Sequence, residues 1–281
     1  MKDIISCSRR TDVPAFYWEW MKEAIKKGYA ESINPYNKEA YRINLSPDDI
    51  HTIVFWSKDY DKYIKDCSFL SDYHLYFQFT INDYSKLLEL NVPNKKETLK
   101  QVDFIVNKFS NQHVLWRFDP IILTKDCSGE NINTLPKYGN ARLIAFEELC
   151  KDMSSLGINK VVTSFLSTYG HVKERLVKYK IPYKSLTEDL QCKFTEKMVE
   201  IADKYNIQVC SCSSPLIEKV EGVEKSHCID GKLLTELKSE RATKAKDQGQ
   251  RKDCGCHKSR DISPYSPCGH NCVYCYARPQ K

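Results

Sequence analysis

The strongest constraint on the fold is a repeated alternation of short apolar segments with longer amphipathic ones. Six segments have the length and the β-branched and aromatic content of buried strands, at residues 4–8, 51–56, 75–80, 114–120, 160–166 and 207–212. Amphipathic stretches separate them; in residues 95–109, for example, apolar side chains recur with a helical period. This alternation predicts a parallel sheet whose strands are connected by crossover helices.

Right-handed crossovers can produce either a doubly wound sheet or a barrel. The sequence has no Gly-x-Gly-x-x-Gly turn and no Gly-Gly pair, so a dinucleotide-binding sheet is disfavoured. We therefore expect an α/β fold, a partial (β/α)6 TIM-like barrel over residues 1–215. A cysteine-rich extension, residues 216–281, is expected to bind a cluster and to pack on the mouth of the barrel.

Two further elements are predicted near the start of the chain. Residues 30–33 and 41–45 can form a hairpin around a turn at 34–37, and Ser46-Pro47-Asp48-Asp49 has the features of a helix start. Residues 238–260 are charged and polar, and we do not expect them to contribute to the core.

Polar side chains follow the predicted strands, at the ends where reactive groups collect in parallel barrels. The candidates for a cofactor site at this mouth are Arg9, Arg10, Asp12, Lys58, Gln78, Arg117 and Asp119. A guanidinium can clamp a carboxylate with two hydrogen bonds, so Arg9 or Arg117 could hold the carboxylate of a ligand. The alternative is that these are surface charges and that Arg117 and Asp119 form a structural pair.

The composition limits the compartment and the class of protein. Of 281 residues, 41% are hydrophobic, which is enough for a packed core. No apolar run approaches the ~18 residues of a membrane span, and the first residues lack a signal peptide, so a cytoplasmic protein is expected. Thirteen cysteines in that setting favour metal binding or catalysis over disulfides. The net charge of +6 permits a phosphate-bearing or nucleic-acid partner without requiring one.

Three of the cysteines lie close together near the end of the chain, where Cys268, Cys272 and Cys275 have the spacing C-x3-C-x2-C. Thiolates this close in sequence can converge on one soft metal centre. Three ligands would leave one iron of a [4Fe–4S] cluster open to a small molecule. The alternative is a zinc knuckle whose fourth ligand is His270 or a distant cysteine.

The loop from Asp261-Ile262-Ser263-Pro264-Tyr265 to Tyr274-Cys275-Tyr276-Ala277-Arg278 resembles the cluster loop of radical S-adenosylmethionine enzymes, most of all the branch that contains spore photoproduct lyase. The resemblance implies that Cys268, Cys272 and Cys275 ligate a [4Fe–4S] cluster whose free iron binds S-adenosylmethionine. It also implies that Tyr274 packs near the adenine. In those enzymes the loop lies near the start of the barrel, whereas here it is terminal.

The chain as a whole resembles an uncharacterised family, domain of unknown function 1848. This resemblance spans nearly the full length, from Ile5-Ser6-Cys7-Ser8-Arg9-Arg10 through Phe55-Trp56 and Trp116-Arg117-Phe118-Asp119-Pro120 to the terminal loop. The family name carries no activity. What the resemblance implies is the terminal cluster and a barrel-like body.

Four other cysteines form a second candidate site, namely Cys212, Cys228, Cys254 and Cys256. Four thiolates complete a closed site, which could hold an auxiliary Fe–S cluster or a structural zinc ion. Gly255 permits a tight turn between Cys254 and Cys256, and Cys210 could take the place of Cys212.

Three functions are consistent with these features. The first is a radical S-adenosylmethionine enzyme, in which an electron donor reduces the cluster and a 5′-deoxyadenosyl radical acts on a small-molecule or nucleic-acid-derived substrate. The second is a zinc-stapled protein that binds nucleic acid or another partner through its basic tail, Lys244, Lys246, Arg251, Lys252 and Lys258. The third is an iron–sulfur protein whose open iron acts without S-adenosylmethionine. The substrate, the catalytic residues and the oligomeric state do not follow from the sequence.

Overall fold

The computed structural model describes residues 1–33, 39–123, 135–183, 185–264 and 266–277. Within these ranges the strands are β1 Asp3–Cys7, β2 Tyr29–Ile33, β3 Ala40–Asn44, β4 Ile50–Ser57, β5 Leu75–Thr80, β6 Val114–Ile121, β7 Lys160–Phe165, β8 Gln208–Ser211, β9 Val223–Lys225 and β10 Arg260–Asp261. The helices are α1 Val13–Phe16, α2 Trp18–Lys27, α3 Asp61–Lys65, α4 Lys95–Lys108, α5 Leu135–Ser155, α6 Gly170–Lys178, α7 Glu188–Asp203 and α8 Gly231–Lys238. No helix in the described ranges is both long and apolar enough to cross a membrane.

Local sequence signals explain several of the helix ends. A capping box begins α4, because Asn94 accepts from the backbone of Glu97 while the Glu97 side chain accepts from the backbone of Asn94. Helix α2 ends at Gly28, which adopts a left-handed conformation with φ of 77°. The hydroxyl of Thr187 accepts from the backbone of Leu190 and starts α7.

Eight strands form one parallel sheet in the order β10-β1-β4-β5-β6-β7-β8-β9, and β2 and β3 form a separate antiparallel hairpin. The six central strands follow one another in chain order. The sheet is therefore wound in one direction, and right-handed crossovers place the connecting helices on one face. A ladder between β9 and β10 is not found in the described residues.

The helices cover the first face of the sheet. Alternate strand residues, such as Phe55, Phe77 and Trp116, are fully buried in a large apolar cluster with side chains from α2, α4, α5 and α7. Successive residues of a strand point to opposite faces, so Val54 and Leu115 lie on the second face, in a separate apolar cluster. Parallel sheets are normally buried on both faces, and here the second face is covered by the C-terminal part of the chain.

The covering segment runs through α8 to β10. Ile229, Leu234 and Ala242 pack in the cluster on the second face. After α8 the chain returns along the first strand, where Arg260 is paired with Ile5 in the β1–β10 ladder. The two outermost strands of the sheet, β9 and β10, thus both come from beyond residue 215.

The second face changes from apolar to polar along the strands. Nearer their amino ends the strands present Ile4, Val54, Tyr76, Leu115 and Val162. Two residues further on, the same face presents Ser6, Trp56, Gln78, Arg117 and Ser164. Parallel strands all finish on the same side of a sheet, called the carboxyl edge below, so these polar positions lie next to one another.

The predicted α/β fold with a large parallel sheet is confirmed, and each of the six predicted strands is present. The predicted hairpin is formed by β2 and β3, but its turn at 34–37 lies outside the described residues. The helix start predicted at Ser46 is wrong, because residues 47–49 form a turn that leads directly into β4. The prediction that residues 238–260 stay out of the core is also wrong, since Ala242 and Cys256 are buried against the sheet.

The packing of α8 leads to a test of the covering segment. A Cβ at Gly231 would lie 1.9 Å from the carbonyl oxygen of Thr243, so Gly231→Ala should lower the free energy of unfolding by about 1–3 kcal/mol through overpacking. Gly170→Ala is the matched control, because a Cβ at the start of α6 would meet open space. Denaturant unfolding that finds both variants as stable as the wild type would contradict the described packing.

Candidate metal centres

The loop with the three clustered cysteines, residues 266–277, is bound to the carboxyl edge of the sheet. The backbone N–H of Val273 donates to the carbonyl of Leu88, which follows β5, at 2.9 Å. On the side of β1, the hydroxyl of Tyr17 donates to the carbonyl of Pro267 at 2.5 Å. The three-cysteine loop therefore bridges the segments that leave β1 and β5.

Two further contacts fix the path of this loop. Gly269 touches the ring of Phe16, and a Cβ at this glycine would lie 2.5 Å from a ring carbon. The guanidinium of Arg175 in α6 donates to the carbonyl of Val273 at 2.9 Å and also to that of Cys275. The body of the protein thus determines where the cysteines lie.

The three thiols of the loop lie close enough to influence one another. Burial raises the pKa of Cys268 to about 12, and the charges of Asp12 and Cys275 contribute, while backbone N–H groups of His270 and Asp12 oppose the rise. Burial also raises the pKa of Cys272, and the charges of the other two thiols raise it further. Metal binding at these cysteines would therefore release protons.

Asp12 joins the loop to the ends of β1 and β4. Its carboxylate accepts from the backbone of Ala15 at 3.0 Å, the hydroxyl of Ser57 at 2.7 Å, the backbone of Lys58 at 2.9 Å and the ring of His270 at 2.8 Å. A carboxylate has about four lone-pair sites, and these four donors use them. Asp12 therefore positions its neighbours.

His270 is held by the protein through both ring nitrogens. Nε2 contacts Asp12 at 2.8 Å, and Nδ1 lies 3.3 Å from the carbonyl of Asn91. The ring also packs edge-on against Phe16, with centroids 4.7 Å apart. This arrangement directs the imidazole into the protein, which argues against His270 as the fourth ligand of a zinc knuckle.

A buried ion pair lies beneath the loop. The ammonium of Lys58 donates to Glu89 at 2.7 Å, and Glu89 also accepts from the hydroxyl of Tyr274 and, at 3.2 Å, from the amide of Asn82. Burial alone would favour the neutral forms, but the attraction outweighs it, so the pKa of Lys58 is raised and that of Glu89 is lowered. Lys58 is also close enough to Cys272 to oppose the rise in its thiol pKa.

The second group of cysteines is gathered on the second face, next to the ends of β8 and β9. The sulfurs of Cys212 and Cys228 are 3.9 Å apart. Cys256 is close enough to Cys228 and to Cys254 to influence the pKa of both thiols, so the four thiols follow one another as a line of neighbours, Cys212, Cys228, Cys256 and Cys254. Hydrogen bonds from Cys212 and Cys256, together with Arg117, lower the pKa of Cys228.

Arg117 is committed to this second group. Nη1 donates to the sulfur of Cys228 at 2.8 Å and to the side chain of Gln78 at 3.2 Å, while Nη2 donates to Asp119 at 2.5 Å and lies 3.6 Å from the sulfur of Cys212. The amide of Gln78 in turn donates to the carbonyl of Cys228. Four of the five guanidinium N–H donors are thus used, which differs from the carboxylate clamp expected from the sequence.

The two remaining arginines of the predicted site differ in exposure. The guanidinium of Arg9 lies 5.4 Å from the ring centroid of Trp56 and 3.7 Å from the carboxylate of Asp247. The guanidinium of Arg117 lies 5.2 Å from the same ring centroid. Arg10 is exposed and faces Asp261 at 4.0 Å. The ring of Trp56 is therefore near two guanidinium groups at the carboxyl edge.

The predicted cofactor residues are divided among three places. Asp12, Lys58 and Tyr274 support the three-cysteine loop. Gln78, Arg117 and Asp119 support the second cysteine group. Arg9 lies near Trp56, between the two groups, and Arg10 lies on the surface. The sequence patterns do not single out Glu89, Asn91 and Arg175, because these residues lie outside the strand ends. Tyr274 is buried, whereas Tyr276, two positions later, is 61% exposed.

Two further observations bear on the sites. Cys210 and Cys212 are two residues apart and lie on the same face; Cys212 contacts Cys228, whereas the Cys210 sulfur lies 4.0 Å from the carbonyl of Gln208. Of these two cysteines, Cys212 is therefore the one that belongs to the second group.

In the part of the chain that the structure describes, no three His, Cys, Asp or Glu side chains are grouped as the ligands of one metal ion would be.

Fold and site together define an α/β protein with a parallel sheet, whose C-terminal segment brings two cysteine groups to the carboxyl edge. The chain belongs to the family described as a domain of unknown function (DUF1848), whose model matches residues 4–277. No match was found among curated proteins. The matched range includes both cysteine groups, and the family carries no assigned activity.

The buried ion pair beneath the loop generates a prediction. Tyr274→Phe should destabilise the protein by about 1–3 kcal/mol, because Glu89 and Asn82 lose a buried hydrogen-bond partner. Tyr276→Phe removes only one hydrogen bond, from an exposed ring to the carbonyl of Arg9, and should change stability by less than about 0.5 kcal/mol. Denaturant unfolding of the two variants distinguishes them, and equal effects would contradict the described anchoring.

Proposed function

We propose that the chain is an iron–sulfur enzyme in which Cys268, Cys272 and Cys275 ligate a [4Fe–4S] cluster and the open iron binds S-adenosylmethionine. The observation that carries this proposal is the docking of the three-cysteine loop at the carboxyl edge, where parallel α/β folds bind their ligands. The sheet would then be the body of a partial (β/α) barrel. The loop would reach, from the far end of the chain, the place that a loop after β1 takes in the enzymes it resembles.

The surroundings of the three thiols are compatible with a cluster. Backbone N–H groups of Asp12 and His270 act to lower the pKa of Cys268, and the ammonium of Lys58 acts to lower that of Cys272, against the larger effect of burial. Such donors and a nearby cation favour the thiolate form of the ligands and adjust the reduction potential of a cluster. They also support a site in which the negative charge of a cluster is partly balanced by the protein.

A [4Fe–4S] cluster held by Cys268, Cys272 and Cys275 would supply, once reduced by an electron donor, the electron for cleavage of S-adenosylmethionine into methionine and a 5′-deoxyadenosyl radical. The part of this chain is to orient the cofactor and the substrate. Tyr276 and Tyr169 are both exposed near Cys275, with ring centroids 6.5 Å apart, and offer aromatic faces to a flat base. Beside Cys212, a polar cavity of about 200 Å³ is lined by residues that include Ser164, Ser214 and Arg251, and offers room for part of a substrate.

Metal content tests the first part of the proposal. Anaerobically purified protein should contain iron and sulfide at roughly four of each per chain, and Cys268→Ser, Cys272→Ser or Cys275→Ser should remove most of both while the protein stays folded. Cys150→Ser is the matched control, because this buried cysteine lies among the helices in the core. A colourless wild-type protein after anaerobic reconstitution would contradict the proposal.

Cofactor binding tests the second part. Tyr276→Ala should weaken binding of S-adenosylmethionine by about two- to tenfold without loss of iron, because one aromatic face is removed. Equilibrium titration of the anaerobic protein measures the effect, with Tyr179→Ala, a partly exposed tyrosine at the end of α6, as the control. Unchanged affinity in Tyr276→Ala would remove this residue from the site, and no binding to the wild type would remove S-adenosylmethionine from the proposal.

A further inference from the structure

One sulfur–sulfur distance in the second cysteine group matches the spacing of thiolates around a single metal ion. Cys212 and Cys228 have sulfurs 3.9 Å apart, and Cys256 is buried in the same cluster as Cys228, next to the hydrogen bond of 2.9 Å from the backbone of His257 to the carbonyl of Ile229. In a tetrahedral tetrathiolate site the sulfurs are about 3.8 Å apart, because the metal–sulfur bonds are ~2.3 Å long. The cysteines of a [4Fe–4S] cluster bind four different irons and stand further apart, with the cube between them.

The backbone brings the four residues together from three separate segments. Cys212 follows β8 and Cys228 follows β9. Because these two strands pair in parallel, the residues that follow them leave the sheet at the same edge. The segment around Gly255 lies directly on the chain that leads to Cys228, since a Cβ at Gly255 would be 2.5 Å from the carbonyl oxygen of Ser226. The close approach of these two backbones explains the glycine between Cys254 and Cys256.

Positive charge is available at both ends of the line of sulfurs. Arg117 contacts Cys228 and Cys212, and the positive charge of Arg9 acts on Cys254. Four thiolates around a divalent ion carry a net charge of −2, which is costly to bury without cations nearby. Each guanidinium also faces a carboxylate, Asp119 or Asp247, which holds it in place.

Arg9 contributes a second observation. Its Nη2 atom is buried and has no hydrogen-bond partner within the described residues. A buried donor of this kind normally has an acceptor, and the negative charge of a tetrathiolate site nearby would compensate for its absence.

We propose that Cys212, Cys228, Cys254 and Cys256 bind a single divalent ion of the zinc class as a closed tetrathiolate site. The described contacts form a line, so binding draws the outer sulfurs of Cys212 and Cys254 inward around a common centre. The ion ties the segment around residues 254–256 to the ends of β8 and β9, and thereby fixes the segment that covers the second face of the sheet. This site is separate from the three-cysteine loop and does not depend on the function proposed for it.

Metal analysis of one set of anaerobic samples tests this proposal. Wild-type protein from zinc-supplemented medium should contain about one zinc per chain, and Cys254→Ser/Cys256→Ser should lose it while keeping the iron and sulfide of the loop. Cys268→Ser should show the reverse pattern. Cys210→Ala is the matched control, because this cysteine lies on the same strand and face but outside the line of sulfurs, and it should keep both metals.

The wild-type measurement does not depend on whether a variant folds. Wild-type protein with no zinc, or zinc that survives in a soluble Cys254→Ser/Cys256→Ser variant, would overturn the proposal. Loss of roughly four irons and four sulfides in that variant would assign the group to an auxiliary cluster and overturn it as well. A wild-type protein that contains zinc but no iron would contradict the proposed iron–sulfur function and would leave the zinc proposal standing. Replacement of the ion by Co²⁺ should give the visible absorption of a tetrahedral thiolate site, and a spectrum without it would contradict the geometry.

Discussion

A parallel sheet has two faces to bury, and in this chain the crossover helices cover only one of them. The strands follow each other in chain order, so every crossover lies on the same side. The remaining face is covered by residues that come last in the sequence, with Ile229, Leu234 and Ala242 on its apolar half. The same segment then has to pass the polar half of the face, and this path brings both cysteine groups to the carboxyl edge.

Buried polar groups on this edge depend on one another for partners. Asp12 accepts four hydrogen bonds that connect β1, β4 and the terminal loop, and Arg117 connects Gln78 and Asp119 with the second cysteine group. Removing one member of such a network leaves a buried donor or charge without a partner, which costs more than the contact itself contributes. These residues therefore set the geometry of the sites.

Much of this arrangement follows from sequence patterns. The buried strands were predictable because a nearly continuous apolar run such as 51–56 suits few other environments, and the polar residues that end them converge by topology alone. What each cysteine group binds stays a prediction, but the grouping itself was predictable from spacing and number. Their partners were not: Glu89 and Asn91 lie in an irregular segment after β5, where no periodicity shows which side chain turns inward.

One wrong prediction and one difference that the sequence does not show have physical causes of the same kind. Ser46-Pro47-Asp48-Asp49 has good residues for a helix start, but the short path from β3 to β4 leaves room only for a turn. In the terminal loop, Tyr274 and Tyr276 are chemically alike, and only the position of Glu89 decides that the first is buried and the second exposed. Tertiary contacts, which local propensity does not contain, decided both cases.

The most direct test of the account is EPR spectroscopy of the reduced, anaerobic wild-type protein before and after addition of S-adenosylmethionine. The account predicts the signal of a reduced [4Fe–4S] cluster that changes when the cofactor is added, because the cofactor binds the iron that the three cysteines leave open. The same change should occur in Cys254→Ser/Cys256→Ser, since the second group is a separate site. A reduced protein without a cluster signal, or a signal that the cofactor does not alter, would contradict the central claim.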